Sequence, residues 1–407
     1  MEVNALYSKQ SNNRLTLERM CMKRYCKNAN ILDFEFLEFC AGECLRKKWK
    51  RRDVLGFFSD ITGRSKDEIL YAIRNGEKPA LIVIAARHMQ KQLAKKELHF
   101  MPIWYKEKID ASNHKLRRIG IQHVSQQLYD YVAVYAMQDL MKRIGEYQCA
   151  SIAGRGPYYG LKHVRKWLKA RDAKYVAQLD VQKCFPSIPQ DKLLAFIDKY
   201  VANADVRWLV RELVNTFDVG LSIGSYLSQY LCNLYMSQLY HEISERMYYT
   251  RRGKPIRLVK HVLFYMDDIL LIGCNAKAMH KAVDAIIAFA KDKMGLTIKP
   301  TWNVRKISKT DFVDTMGFRV YGNHVTIRQR VFLRVRRAYK KPTKKRCRKM
   351  TEKQAQKCVS YFGCIKGTNL LRFAKKFHIF TTIKQAKGVV AHESKLRCRA
   401  ARRPVCA

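Results

Sequence analysis

The sequence predicts an α+β fold, and three observations support it. Residues up to about Lys95 place apolar side chains at helical spacing, as in DEILYAIRNGEKPALIVIAARHMQKQLAKK. From FMPIWYKEKIDASNHKLRRIGIQHV to about residue 320, short apolar runs bounded by turn residues alternate with helical stretches. Beyond that the chain is helical and strongly basic. These changes of pattern divide it into a helical N-terminal extension over 1–95, a mixed central region over 96–320 and a basic helical region over 321–407.

Charge limits the choice of partner. The chain has 407 residues, with 79 Lys and Arg against 34 Asp and Glu, a formal net charge of +45. A hydrophobic content of 48% is that of a globular protein, which excludes a disordered basic tail. So large an excess repels itself unless a polyanion neutralises it, and nucleic acid is the expected polyanion. The excess is steepest at the end: after Asp314 the only acidic residues are Glu352 and Glu393. RVRRAYKKPTKKRCRKM is therefore expected to contact phosphate backbone. No apolar run reaches the length of a membrane-spanning helix, and MEVNALYSKQSNNRL lacks the apolar core of a signal peptide. With thirteen cysteines, these features suggest a reducing, cytoplasmic setting without membrane contact. Cys21, Cys26, Cys40 and Cys44 offer four thiols to zinc, but the first pair lacks the usual close spacing. Buried thiols on amphipathic helices are the simpler explanation.

Taken in order, the central elements are these. FMPIWYKEKIDASNHKLRRIGIQHV mixes short strands and turn residues with a basic hairpin-like segment, and QQLYDYVAVYAMQDLMKRI reads as a long, mostly buried helix. YVAQLD is a short strand ending in Asp180. DKLLAFIDKYV and RWLVRELVNTF are helical, and SYLSQYLCNLYMSQLYHEISERM is a long helix behind a glycine. VLFYMDDILLIG gives two apolar strands around a tight Asp-Asp turn. HKAVDAIIAFAKDKMGL is an amphipathic helix with Gly295 as its stop, and DTMGFRVYGNHVTIR reads as a hairpin.

The strand ending in Asp180 and the hairpin carrying Asp267 and Asp268 provide the chemistry. If those strands are neighbours, three carboxylates converge and repel one another until cations neutralise them. Hard oxygen donors suit Mg²⁺, and two such ions carry out in-line phosphoryl transfer. In a nucleic-acid-binding protein that arrangement points to a polymerase.

The same residues resemble the reverse transcriptases. FYMDDILL is similar to that family's Tyr-x-Asp-Asp motif, with Tyr265, Asp267 and Asp268, and LDVQKCFPSIPQDKL to its preceding catalytic-aspartate motif. The resemblance implies a right-hand polymerase of fingers, palm and thumb, in which Asp180, Asp267, Asp268 and the Val181 carbonyl hold two Mg²⁺, with Mn²⁺ as an alternative. It further implies that Phe185 is a steric gate against the ribose 2′-hydroxyl. Ile223, Gly224 and Gln229, in GLSIGSYLSQYLCNLY, would position template and nucleotide. Lys115 and Arg117, with Arg118 in reserve, would hold the incoming triphosphate. Arg155 and Gly156 would contact template or substrate, and Met316, Gly317 and Phe318 would form the primer grip. The likeness runs from about Lys115 to Val320.

Within the family, Ile223-Gly224 with Ser228-Gln229, and the late VSYFGCIKGTNLLRF, resemble the bacterial enzymes of diversity-generating retroelements. That likeness implies an RNA template, a DNA or RNA primer, dNTPs, adenine-directed errors and a small basic accessory protein. A phage-defence reverse transcriptase using a structured noncoding RNA shares part of the pattern. The intact aspartates weigh against a catalytically idle RNA-binding protein. Phe185 and the Tyr-x-Asp-Asp form weigh against a viral RNA-dependent RNA polymerase.

Overall fold

The computed structural model describes residues 23–109, 116–308, 310–344 and 350–400. The chain divides into two compact units, each assembled from separate stretches of sequence. The first comprises residues up to Glu146 together with Gln182–Gln238 and Phe289–Thr297; the second comprises Tyr147–Val181, Leu239–Ala288 and Ile298–Ala407.

The first unit is mostly helical. The helix Phe34–Leu45 buries Leu37, Cys40, Ala41 and Cys44 against helices Lys78–Lys95 and Val124–Ala136. Short helices Arg52–Thr62 and Lys66–Arg74 complete the extension, the latter started by a Ser65/Glu68 capping box. The Tyr25 backbone is held beside the end of a later helix, its N–H donating to the Tyr200 carbonyl at 2.7 Å and its carbonyl accepting from the Ala202 N–H at 2.8 Å. The only strands in this unit among the described residues are β1 (Trp104–Ile109) and β2 (Leu116–Ile121), an antiparallel hairpin. The predicted long helix after it ends at Ala136 and gives way to a 3₁₀ turn, Leu140–Arg143. Helices Gln190–Tyr200, Ala204–Val214 and Tyr226–His241 follow. The last is apolar on nearly every side, and Leu227, Leu231, Cys232, Leu234, Tyr235 and Met236 are all buried.

The second unit is built on a five-stranded sheet. Its strands are β3 (Gln148–Cys149), β4 (Tyr175–Asp180), β7 (His261–Tyr265), β8 (Asp268–Gly273) and β9 (Val304–Lys306), in the order β3-β7-β8-β4-β9. Between β4 and β7 in sequence, β5 (Tyr248–Arg251) and β6 (Lys254–Arg257) make a separate exposed hairpin. Central strands β7 and β8 are apolar without alternation because both faces are buried. DTMGFRVYGNHVTIR, predicted as one hairpin, is a three-stranded meander of β10 (Phe312–Thr315), β11 (Phe318–Tyr321) and β12 (Val325–Ile327). The Tyr321 N–H donates to the His324 carbonyl at 2.9 Å, so Gly322-Asn323 make a second reversal that the single-hairpin reading missed. Helices Gln329–Lys344, Glu352–Ile365, Leu371–Lys376 and Ile379–Ala400 form the basic end, as expected. Among the described residues no helix is long and apolar enough to cross a membrane.

One buried hydrogen bond secures the segment after the amphipathic helix. Tyr235 Oη donates to the Met294 carbonyl at 2.7 Å, just before Gly295 turns the chain at φ +67°. Tyr235→Phe removes the donor and leaves a buried acceptor, at a cost of roughly 1–3 kcal/mol. The expected result is a melting temperature lowered by a few degrees with an unchanged far-UV spectrum; an unchanged melting temperature would show that the bond contributes nothing.

Candidate active site

In the second unit β4 lies antiparallel to β8 with Asp180 directly opposite Asp268. Strand β8 is joined to β7 by a two-residue loop, Met266-Asp267, since Tyr265 pairs with Asp268. Such loops require positive φ, and Met266 adopts +56°, a conformation costly for any residue but glycine. Two backbone bonds hold the strained turn: the Val181 N–H reaches the Asp267 carbonyl at 3.2 Å, and the Met266 N–H reaches the Cys149 carbonyl at 3.3 Å. Asp180, Val181, Tyr265, Asp267 and Asp268 thus meet at one end of one sheet.

The electrostatics there are those of crowded acids. Burial first, then the charges of Asp267 and Asp180, push the Asp268 carboxyl up to about 6. Burial also raises the Tyr265 phenol, with Cys149 and Asp268 adding to it. Lys299 was not singled out from the sequence, yet its Nζ forms an ion pair with Asp180, and its backbone N–H bonds the Asp180 carbonyl at 2.9 Å. Among the described residues no group of three or more His, Cys, Asp or Glu side chains is already arranged to hold a metal ion. The donor set nonetheless fits a hard divalent cation, being all oxygen and mutually repulsive, and it already attracts one ammonium.

The β10–β11 turn lies in the same unit. Met316 and Gly317 both have positive φ, +52° and +85°, as a two-residue loop between Thr315 and Phe318 demands. Gly160, on the helix Pro157–Leu168, makes room for it: a Cβ there would lie 2.6 Å from Met316 Sδ. Phe318 is buried in the core beneath the turn, so its ring anchors the loop. Arg155 and Gly156 immediately precede that helix, with Gly156 as its N-cap.

The first unit holds the remaining candidates. Phe185 is half-buried on the short helix Cys184–Ser187, and its carbonyl accepts the Leu221 N–H at 2.9 Å. Gly220 permits that approach, because a Cβ there would meet the Pro186 carbonyl oxygen at 2.5 Å. A second close crossing joins β2 to the segment before the long helix. The Gly120 N–H donates to the Ile223 carbonyl at 2.8 Å, while a Cβ on Gly224, at φ +118°, would sit 2.4 Å from the Gly120 oxygen. Gln229 is half-buried one turn into the helix. Arg117 is exposed on β2, and Lys115 lies outside the described residues. Arg118 faces the other way, pairing with Asp218 at 2.9 Å and stacking 3.6 Å from the Tyr105 ring. Cys26, Cys40 and Cys44 are buried, and burial pushes Cys40 up to about 12 and Cys44 to about 11, so both remain thiols. Cys21 lies outside the described residues.

Asp130 was missed by sequence reasoning, because a lone acid within an apolar helix has no local signal. It is fully buried and organises the start of the long helix. Ser225 Oγ donates to it at 2.9 Å and the Leu227 N–H at 3.5 Å. Burial outweighs these bonds and pushes its carboxyl up to about 7.

A sheet that presents facing aspartates at a two-residue turn, with a basic helical region behind it in the chain, defines the palm of a right-hand polymerase. The sequence model for reverse transcriptase (RNA-dependent DNA polymerase) matches residues 105–320, more than half of the chain, and the chain belongs to that family. Among solved structures it is similar to apo telomerase from Candida tropicalis truncated from its C-terminal domain (11% identity, TM-score 0.42, covering 56% of this chain and 55% of that one). It is also similar to Candida tropicalis telomerase in complex with the TWJ fragment of telomeric RNA (10% identity, TM-score 0.45, covering 77% and 57%). The chain therefore spans little more than half the length of those telomerases. No curated protein matches it.

Because Asp130 has a folded pKa above its unfolded value of about 3.9, its favourable contribution is full below that value. It is lost as pH rises through about 7. Asp130→Asn should therefore raise the melting temperature more at pH 8 than at pH 5. Equal shifts at the two pH values would show that Asp130 titrates normally.

Proposed function

We propose that the protein is an RNA-directed DNA polymerase, extending a DNA or RNA primer with dNTPs on an RNA template. The observation that carries the reading is the register of β4 and β8, which sets Asp180 opposite Asp268 beside Asp267. It lies within the stretch matched by the reverse transcriptase family.

In this reading residues 96–320 are fingers and palm, residues 321–407 the thumb, and residues 1–95 an added helical domain. Asp180, Asp267, Asp268 and the Val181 carbonyl would hold two Mg²⁺ or Mn²⁺ ions, which supply activation of the primer 3′-hydroxyl and neutralisation of the leaving pyrophosphate. Lys299, through its ion pair, orients Asp180 until then. Lys115 and Arg117 bind the triphosphate, the arginine fork matching phosphate oxygens. Phe185 fills the space of a ribose 2′-hydroxyl and so favours deoxynucleotides. Ile223, Gly224 and Gln229 support the templating pair, and Tyr265 lines the catalytic strand. The Met316-Gly317 turn, anchored by Phe318, holds the primer end.

Diversification is the biological programme we favour, with a structured RNA and a small basic accessory protein as partners. Ile223 offers no side-chain hydrogen bond where the usual glutamine would, which supports relaxed selection opposite adenine. The alternative, phage defence with a dedicated noncoding RNA, is supported by the N-terminal extension lying outside the family match. A catalytically idle RNA-binding protein would have no use for three repelling acids.

Primer extension on RNA with dNTPs and Mg²⁺ should yield DNA, and Asp267→Ala should lower the rate roughly a hundredfold to a thousandfold. Phe185→Ala should raise ribonucleotide use relative to deoxynucleotide by about tenfold. No DNA product, or an undiminished product from Asp267→Ala, would overturn the assignment. In sequenced cDNA, Ile223→Gln should reduce errors opposite adenine; an unchanged spectrum would refute the role given to Ile223.

A further inference from the structure

Just before β7 the second unit carries a basic hairpin that none of the roles above uses. From Arg246 to Met266 the sequence holds no acid, and Arg251, Arg252, Lys254 and Arg257 crowd into one short stretch of it. Strands β5 and β6 pair Tyr248 with Arg257, Tyr249 with Ile256, Thr250 with Pro255 and Arg251 with Lys254. Arg252 and Gly253 close the ribbon as a two-residue loop, with φ +49° and +73° as that turn demands. Apart from Tyr249 and Ile256, which are half-buried, every residue of the ribbon is exposed. A Cβ added at Gly253 would meet nothing within 4 Å, so the tip stands clear.

Its position separates it from the carboxylates. The Leu258 N–H donates to the Met247 carbonyl at 3.0 Å and closes the ribbon's base. The Lys260 N–H then donates to the Ile272 carbonyl, also at 3.0 Å. Along β8, Ile272 is roughly 13 Å from Asp268 at the usual strand rise. The ribbon therefore leaves the sheet at the end opposite the acids.

The charges are arranged for a particular shape. Paired residues share a face of a hairpin. Arg251 and Lys254 thus lie on one face, Arg257 on the other and Arg252 at the tip. Tyr248 steadies Arg257, accepting from its Nε at 3.3 Å with the guanidinium 5.9 Å from the ring centroid. Among the described residues no acid pairs with Arg251, Arg252 or Lys254, whereas Arg246 is engaged by Glu242 at 3.5 Å. Cations on both faces and at the tip suit anions on both sides at once, which the two phosphate strands of a helical stem provide. An acidic protein surface would meet one face only. Strand addition from a protein is disfavoured as well, because Pro255 removes an edge donor and the cations guard both strands. A two-stranded ribbon is also marginally stable by itself, so a partner along it supplies the cover that a third strand would.

We propose that the β5–β6 ribbon docks on a base-paired stem of RNA, separate from any primer–template helix at the aspartates. It does so by contacts to phosphate, not to bases. RNA is the source because the family to which the chain belongs is RNA-dependent. The geometry of the ribbon carries the proposal whether or not the chain polymerises DNA.

The test is fluorescence anisotropy with a labelled RNA hairpin of about twelve base pairs and an unpaired RNA of the same length. Arg251→Gln/Arg252→Gln/Lys254→Gln should weaken stem binding by about tenfold or more. The slope of log affinity against log salt should fall by roughly two to three for the stem. Binding of the unpaired RNA should change by less than about twofold. All three side chains are exposed, so the melting temperature should stay where it is. Arg251→Lys/Arg252→Lys, which keeps both charges, should bind the stem within about threefold of the parent. Primer extension on a short primer–template without the stem should run at the parent rate in the triple variant. Equal loss on stem and unpaired RNA, no loss on either, or slowed extension would overturn the proposal. So would a DNA duplex bound as tightly as the stem, or polyglutamate binding that the triple variant loses while it keeps the stem. A protein that makes no DNA yet shows the stem-specific loss would retain the ribbon's role and lose the polymerase assignment. One that makes DNA without that loss would do the reverse.

Discussion

Carboxylate repulsion at the end of the β4–β8 pair is the constraint on which the second unit depends. Like charges directly opposite on antiparallel strands destabilise the pairing, and Asp180 and Asp268 are directly opposite, with Asp267 next in the chain. Left to themselves these strands would slip or splay. They are held because Val176, Ala177 and Leu179 on β4, and Ile269, Leu270, Leu271 and Ile272 on β8, are buried along the rest of the ladder. A one-residue slip would move every one of those side chains to the opposite face. The same core sustains the positive φ of Met266. Apolar burial thus stabilises a turn that its own residues would not choose, and the stored repulsion becomes affinity for cations.

The first unit solves a different problem by removing side chains. Gly120 and Gly224 bring two backbones together more closely than any Cβ would allow, and Gly220 does the same against Phe185 and Pro186. Each contact joins segments that the functional reading treats as one nucleotide site. Asp130 reinforces them from below through Ser225 and Leu227. The cost is a carboxyl kept out of water, with a pKa near 7 rather than 4. Rigidity of the positioning segment therefore draws on both close backbone packing and one buried acid.

Legibility in the sequence followed the range of the interaction. Strand β4, the β7–β8 turn and the amphipathic helices are set by neighbours within a few residues, and period and turn chemistry revealed them. The acids were found because two of them are adjacent and the third ends an apolar run. The Arg143 end of the Val124 helix was misjudged, since apolar spacing continues through a 3₁₀ turn that only tertiary packing imposes. The second reversal, at Gly322-Asn323, was missed because one hairpin already accounts for the alternation of so short a segment. Lys299 and Asp130 were invisible for a stronger reason. Lys299 is 119 residues from Asp180, and Asp130 is 95 from Ser225. Such pairs carry no signature until the chain has folded.

The charge distribution separates affinity from discrimination. On the helix Gln329–Lys344, Val335 and Tyr339 are buried one turn apart while Arg336 and Arg337 face solvent. The core is thus satisfied without enlisting the cations, and only Glu352 and Glu393 offset them beyond Asp314. Cations of this kind bind any phosphate backbone and respond to salt, not to sequence or sugar. Choice between ribose and deoxyribose, or between one base and another, must then come from uncharged groups. On the function proposed above, Phe185 would make that choice against the sugar and Ile223 beside the base pair. Strong electrostatics makes such residues more important, because an enzyme that holds every polyanion tightly can discriminate only by shape.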